Sequence, residues 1–591
     1  MAAAVVLGLG HHACKVHWPT LERAGVRVAL AVDIAAARPR ISAFLSSPGR
    51  VQPDALLLLD EAPGSGSGSR TAHHGGEGCA RGGDEYDVAE TGTLYGPGGA
   101  VVRRTTLAAE LDRVYRERAQ EQAREREWDG RLAVGGGAGG AGASDCGMRV
   151  IVSSDGRAHL AHATAALSRG RTALLIDKPV SAPPSLATAE GAAAALVSDV
   201  DTIAAAAAAT SSTVDVLVQR RYHEQYEWLC DDVLAPFVAR WGVPLSSLAI
   251  EEADGRMTLP HEWTHATHSY ATGHGKLLHS GYHMVDLARV ICNAGGVRAP
   301  LRVAGVAATL GSDAVAAADD VDWRRLFGDD DGEALARAQA AVSAGGVVGL
   351  AALGELDVHA ILEAVEGERL RATVTLALLH NSLSHRAAAA TPADTYKGAG
   401  RVKRERVTAR VGHLLAVDIE RDDAFEAGVY RARVARNAAL LGGPATQTET
   451  FRLRERGVGI DEHGAKKELI DDWLRRPGAT KSTLASHAAS VSVTAELYAA
   501  VERSTRRRRH SVATTEAARE EETAAAAAVA ATATATGAAG SGPWTPTSMP
   551  KPASRAGAKG NAAAAAAGVP CQARRRASCT GDRLARRRAS V

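Results

Sequence analysis

The opening residues impose a bend that few chains can make. Ala4-Val5-Val6-Leu7 is an apolar run of strand type, Gly8-Leu9-Gly10-His11-His12-Ala13 forms a turn, and a helical stretch continues through Leu21. A strand that passes through two glycines straight into a helix packs that helix back onto itself, which is how a parallel sheet begins. Gly8 permits the tight bend, Gly10 lets backbone approach a ligand, and Ala13 allows helix and strand to touch. The unpaired N–H groups at the helix start then meet negative charge. Gly8, Gly10, His11, His12 and Ala13 together read as a dinucleotide-binding turn that cradles a pyrophosphate.

With 60 glycines in 591 residues, such a string also arises by chance, so the flanking residues carry the weight. The apolar run Val26 to Val32 ends in Asp33, where a carboxylate accepts hydrogen bonds from both ribose hydroxyls. That favours NAD, while Arg38 and Arg40 leave NADP open. Strand and helix patterns then alternate: a strand at 54–59, another at 148–152, a helix from about Ala158 to Ser168 stopped by Gly170, a strand at 173–176, an alanine-rich helix to about Ala209, and a strand at 214–218. This rhythm predicts an α/β fold, with a doubly wound parallel sheet of Rossmann type over residues 1–219.

A Gly-rich insertion at about 63–147 interrupts it. Residues 63–85 and 134–147 read as flexible loops, and between them Leu107, Leu111, Val114 and Tyr115 recur at helical spacing, followed by a solvated run from Arg116 to Glu127. Residues 220–509 predict an α+β domain with a large mixed sheet, from strand-like runs at 248–252, 347–352, 372–379 and 407–411 and a closing helix at 488–503. Beyond 510 the Ala, Thr, Gly, Ser and Arg composition predicts a disordered basic tail. It carries Arg506-Arg507-Arg508-Arg509-His510-Ser511 and two Arg-Arg-Arg-Ala-Ser strings ending at Ser578 and Ser590, which match basophilic kinase sites but arise freely in biased sequence.

The net charge of +2 gives no pull toward nucleic acid or an anionic membrane. Seven scattered cysteines fit a reducing compartment better than a disulfide framework, and no stretch of about twenty apolar residues is present. The first strand begins at about residue 4 and leaves no room for a leader, so a cytoplasmic protein with a small-molecule partner is expected.

Two clusters turn the nucleotide fold toward chemistry. Asp177-Lys178-Pro179 follows a strand directly, and ligands in open parallel sheets bind beyond the carboxyl ends of strands, which sets Asp177 and Lys178 beside the cofactor. A buried lysine there can hold a substrate hydroxyl and relay a proton. The second cluster, Gly273 to Asp286, places His279, His283 and Asp286 at i, i+4 and i+7, one side of a helix that starts early enough. An imidazole is a natural acid/base for an alcohol losing hydride. Upstream, His261-Glu262-Trp263-Thr264-His265 matches a zinc-protease string, but it lies between sheet-like and loop-like sequence, so no metal is expected and these histidines with His268 read as cleft or loop residues.

In order, these motifs resemble the glucose-fructose oxidoreductase, inositol dehydrogenase and rhizopine-catabolism (Gfo/Idh/MocA) family over roughly residues 3–505. The shared pattern is the Gly-rich turn, a histidine-bearing helix after the third strand (His159 or His162), a Glu-Lys-Pro strand end, an arginine after the last nucleotide strand, and Gly-x-His-x-x-Asp. The resemblance implies an NAD(P)-dependent oxidoreductase acting on the CH–OH of a sugar, polyol or related compound. It makes Lys178 the catalytic lysine and His283 the proton-transferring histidine, lets Arg221 and Tyr222 line the cleft with Asp286, and implies a homo-oligomer through the second sheet. Two positions depart from the pattern: Asp177 replaces glutamate, and His279 stands where sugar and polyol dehydrogenases carry aspartate four residues before the histidine. A neutral imidazole cannot raise the basicity of His283 as a carboxylate does. Either His279 binds substrate differently, or the alternative holds: a regulatory or sensor protein that kept the fold and lost turnover.

Overall fold

The computed structural model describes residues 3–10, 13–60, 91–95, 101–133, 147–253, 270, 273–344, 350, 353–380, 403–423, 425–426, 428–453 and 463–536. Residues 1–514 form one compact unit. It holds two eight-stranded sheets.

The first sheet contains β1 (Ala3–Leu7), β2 (Arg27–Ile34), β3 (Leu56–Leu59), β4 (Thr91–Tyr95), β5 (Val101–Thr106), β6 (Met148–Val152), β7 (Thr172–Asp177) and β8 (Thr213–Leu217), in the order β5-β4-β3-β2-β1-β6-β7-β8. β1, β2, β3, β6, β7 and β8 are parallel, while β4 and β5 add antiparallel to the β3 edge. These two strands lie in the segment read as an insertion and were not foreseen there; their Thr and Val content is typical of strands. The adjoining helix Leu107–Ala133 spans the predicted Leu107 to Glu127 pattern. The central strands are apolar on both sides because helices cover both faces. Val5, Leu7, Leu30 and Val32 join one core cluster; Ala4, Val6, Ala31 and Ile151 join another. The strand order reverses between β1 and β6, which opens a crevice at their carboxyl ends.

The second sheet contains β9 (Ser247–Ala253), β10 (Leu301–Leu310), β11 (Glu355–Glu366), β12 (Arg369–Leu379), β13 (Arg404–Val411), β14 (Leu415–Asp422), β15 (Val429–Arg436) and β16 (Thr446–Arg452), in the order β10-β11-β12-β9-β13-β14-β15-β16. Only the β12–β9 pair is parallel. Alternation is clear in β11, where Leu356, Val358, Ala360, Leu362 and Ala364 are buried between Asp357, His359, Ile361 and Glu363. The helix Gly281–Ala294 packs on β9 and β12. The strand expected at 347–352 falls almost wholly outside the described residues, and β11 begins later, at Glu355.

The segment after β16 returns to the first sheet. The helix Gly464–Arg475 places Leu469, Ile470 and Trp473 in the cluster that holds Val6, Val16 and Trp18. Val216 N–H then donates to Ser482 O (2.8 Å), and Asp215 accepts from Gly478 N–H (2.7 Å) and Thr480 Oγ1 (2.6 Å). The closing helix runs over Leu484–Thr536, far past the expected end near 503. Alanine, glutamate and arginine favour helix without needing a buried face. Residues 537–591, with Ser578 and Ser590, lie outside the described residues, as do His261, His265 and His268.

Candidate active site

The opening turn sits in the crevice between β1 and β6. Gly8 has φ +93°, and a Cβ there would lie 2.3 Å from Ser154 N, so only glycine lets this turn pass the loop after β6. Among the described residues, a Cβ on Gly10 would meet nothing nearer than Ser153 O at 3.8 Å, room that suits the close approach of a ligand. Ala13 is buried and starts a short π-helical turn, Ala13–His17, that runs into Trp18–Arg23. His11 and His12 lie outside the described residues.

Asp33, near the end of β2, braces the turn. Its Oδ2 accepts Leu9 N–H (3.0 Å), its Oδ1 accepts Ile34 N–H (2.8 Å), and Arg40 pairs with it at 3.2 Å. Burial pushes its carboxyl up, while the two N–H donors and Arg40 pull it down. Arg38 lies over the Tyr95 ring.

Lys178 follows β7 through a cis Lys178-Pro179 bond. Asp177 Oδ1 accepts Lys178 N–H (2.8 Å), and Lys178 Nζ donates to the His279 carbonyl. His159 ties two strand ends together, with Nδ1 2.7 Å from Pro179 O and Nε2 3.0 Å from Ser154 O. His162 Nδ1 bonds Ser154 Oγ at 2.9 Å, and burial lowers its imidazole to about 4. Of the two histidines read from this helix, His159 is the one that positions the Lys178 turn.

The histidine cluster does not form a single helix. Lys276–His279 is one short turn, Ser280 breaks it, and Gly281–Ala294 is a second helix, so His279 and His283 do not share a helical face. The corner is tight: a Cβ on Gly281 would lie 2.7 Å from Lys276 O and 3.0 Å from Leu378 Cδ1. The His279 ring lies 5.4 Å from that of His380, at the end of β12. His283 is 5% exposed, and its Nδ1 is buried without a hydrogen-bond partner. Burial, then Lys178, Arg220 and Lys466, hold its imidazole well below the ordinary histidine value, against Asp286. It is therefore neutral near pH 7.

Arg221, Tyr222 and Asp286, expected to line the cleft, are engaged inside the protein. Arg221 pairs with both Asp286 oxygens (2.8 and 2.6 Å) and donates to Lys481 O and Ser486 Oγ (both 2.6 Å). His487 Nδ1 (3.1 Å) and Ser490 Oγ (2.9 Å) complete the shell of Asp286, whose carboxyl these partners hold far below the usual range against its burial. Tyr222 donates to Asp472 Oδ2 (2.7 Å) and accepts Lys481 N–H (3.2 Å). These contacts anchor the returning C-terminal segment. Their neighbour Arg220 is the arginine that influences His283, held by Glu405 (2.7 Å), Glu252 (3.5 Å) and the Tyr430 hydroxyl (3.2 Å).

Sequence reasoning passed over Arg220, His17 and Lys466. Lys466 had a signal: it lies in line with Leu469, Ile470 and Trp473, so a charge occupies the apolar stripe of an otherwise amphipathic helix. His17 had none beyond its place in the first helix, since the segment that covers it begins some 450 residues later. Among the described residues no group of three or more His, Cys, Asp or Glu side chains is arranged to hold a metal, and no helix is long and apolar enough to cross a membrane.

No protein-family model matches the sequence, and no curated protein matches it. Among solved structures, the chain is similar to the aldose-aldose oxidoreductase of Caulobacter crescentus complexed with glycerol, at 12% identity and TM-score 0.43 over 85% of this chain and 98% of that one. It is similar to an oxidoreductase of Agrobacterium radiobacter in complex with NAD+, L-tartaric acid and magnesium, at 11% identity and TM-score 0.45 over 85% and 96%. A third is the WlbA dehydrogenase of Bordetella pertussis in complex with NADH and UDP-GlcNAcA, at 10% identity and TM-score 0.42 over 84% and 96%.

Proposed function

We propose that this protein is an NAD(P)-dependent oxidoreductase of the Gfo/Idh/MocA type that acts on the CH–OH group of a sugar, polyol or related hydroxy compound. The observation that carries the reading is the meeting of Lys178, from the end of β7 in the nucleotide sheet, with the His279–His283 corner of the second sheet's helices. The two lie beside the crevice that holds the glycine turn. The room beside Gly10 and the braced carboxylate of Asp33 fit a dinucleotide, with Gly8, Gly10 and Ala13 shaping the turn. Asp33 points to NAD, and its pairing with Arg40 keeps NADP as the second choice.

A bound nicotinamide supplies the hydride acceptor or donor. The chain's own residues handle the oxygen: Lys178 donates a hydrogen bond to the substrate oxygen and polarises it, and neutral His283 takes the hydroxyl proton as the carbonyl forms. His159, through Pro179, fixes the turn that aims Lys178. The outer face of the second sheet, with Ile361 and Leu370 exposed, is the surface for self-association in this reading.

Titration of the purified protein with NADH and NADPH, followed by a polyol and sugar panel, tests it. Binding of either cofactor with turnover lost in Lys178→Ala supports the reading; no binding of either removes it. One observation favours the sensor alternative: Asp286, the carboxylate on the His283 helix, is committed to Arg221 and His487, and among the described residues no acceptor orients His283 Nδ1. Tight cofactor binding with no oxidation of any panel member selects that alternative.

A further inference from the structure

Lys466 is 3% exposed, yet among the described residues it has neither a carboxylate partner nor a side-chain hydrogen bond. It sits on the helix Gly464–Arg475, which packs against Ala13–His17, the first turns after the glycine loop, and against the turn Gln219–Tyr222. Two other buried basic groups share this corner. His17 is fully buried with both ring nitrogens unpartnered, and His283 has its unpartnered Nδ1. Lys466 is near enough to both to depress their imidazoles. The anions around this corner are engaged: Asp177, whose charge also acts on His17, accepts the Lys178 N–H, Asp286 is held by Arg221 and His487, Glu405 by Arg220, and Asp472 by Arg476 and Tyr222.

A lysine whose stem is buried and whose ammonium meets no carboxylate among the described residues is unfavourable unless something else meets its charge, and the stem could have been replaced by an apolar residue to match Leu469 and Ile470. We propose that Lys466 is a ligand-binding residue of the cleft that takes an anionic oxygen of the bound molecule, either a phosphate of the dinucleotide or a carboxylate of an acidic sugar substrate. Both sources share the same chemistry, an oxyanion that accepts a charge-assisted hydrogen bond from the Lys466 ammonium. The second source narrows the substrate class from neutral polyols to sugar acids, and in that form the inference rests on the oxidoreductase reading.

The test compares wild type, Lys466→Met and, as a control off the buried stripe, Lys467→Met. Affinities are measured for inorganic pyrophosphate, NADH, gluconate and neutral sorbitol, the last two with and without NADH, beside thermal midpoints without ligand. The expected result is a roughly ten- to hundredfold loss of affinity for at least one anion in Lys466→Met, with sorbitol unaffected and the ligand-free midpoint unchanged or raised. Loss of pyrophosphate and NADH binding assigns the phosphate; loss of gluconate binding alone assigns the substrate carboxylate. A folded Lys466→Met that binds every anion as wild type does overturns the proposal, as does a wild type that binds none. Wild-type protein that binds gluconate or pyrophosphate through Lys466 but neither NADH nor NADPH leaves this inference standing and removes the oxidoreductase reading.

Discussion

Glu355→Gln should stabilise the protein, and only above mildly acidic pH. Glu355 opens β11 and is fully buried; its Oε1 accepts Leu277 N–H (2.8 Å) and the Tyr498 hydroxyl (2.7 Å), while Oε2 has no hydrogen-bond partner among the described residues. No cation pairs with it among the described residues, and burial pushes its carboxyl up to about 7 from an ordinary 4.5. The folded state thus keeps a proton that the unfolded chain releases. Stability falls as pH rises above about 4.5, and the loss is complete above about 7. That interval corresponds to about 3 kcal/mol at 1.36 kcal/mol per pH unit. Glutamine keeps the Oε1 acceptor and carries no charge, so the variant should exceed wild type by up to about 3 kcal/mol near pH 8, with the gap closing toward pH 5. Urea denaturation at both pH values reads this directly. A variant no more stable than wild type near pH 8, with an unchanged pH dependence, would refute the reasoning.

Asp286→Asn strands the Arg221 guanidinium inside the protein and should cost about 3–5 kcal/mol, read as a lowered denaturation midpoint; a loss below about 1 kcal/mol would show the Arg221, His487 and Ser490 cluster to be dispensable. Because the Asp286 carboxyl is held low, its share of stability is present at neutral pH and disappears on acidification, so wild type should lose more stability than Asp286→Asn as pH falls below about 4. Gly8→Ala places a methyl against Ser154 at positive φ, and NADH titration should show binding reduced at least tenfold; unchanged affinity would mean that the turn does not contact the cofactor. His283→Asn should lower turnover by about 10²–10⁴ with cofactor affinity retained, and equal activity would exclude His283 from proton transfer. Asp33→Ala should shift preference toward NADPH by freeing Arg40, measured as the ratio of the two dissociation constants.

Local patterns were legible wherever a strand or helix makes its own case. The run Ala4 to Leu7, the glycines and Asp33 fell where their spacing placed them, because one βαβ unit fixes them over short distances, and Lys178 fell directly after its own strand, β7. Three of the eight strands of the second sheet, β9, β12 and β13, announced themselves through apolar runs, whereas β15 alternates buried Tyr430, Ala432 and Val434 with arginine and β16 is a polar edge strand with no buried residue. The site was harder to read for the same reason. Arg220 and Arg221 are adjacent in sequence, and distant partners separate them: Asp286 takes Arg221, while Glu405 and Glu252 take Arg220. The role of Lys466 depends on the first helix, which no local window contains.

The return of the C-terminal segment has a consequence during synthesis. β8 is the edge strand of the nucleotide sheet, and its Asp215 is satisfied only by Thr480 and Gly478, with Thr480 265 residues further along. At translation rates of about 5–20 residues per second, that edge waits on the order of tens of seconds after it emerges from the ribosome. During that interval a newly made first sheet exposes an unpaired strand border and a buried carboxylate without donors, so a chain truncated before Gly464 should form aggregates rather than a free-standing cofactor module.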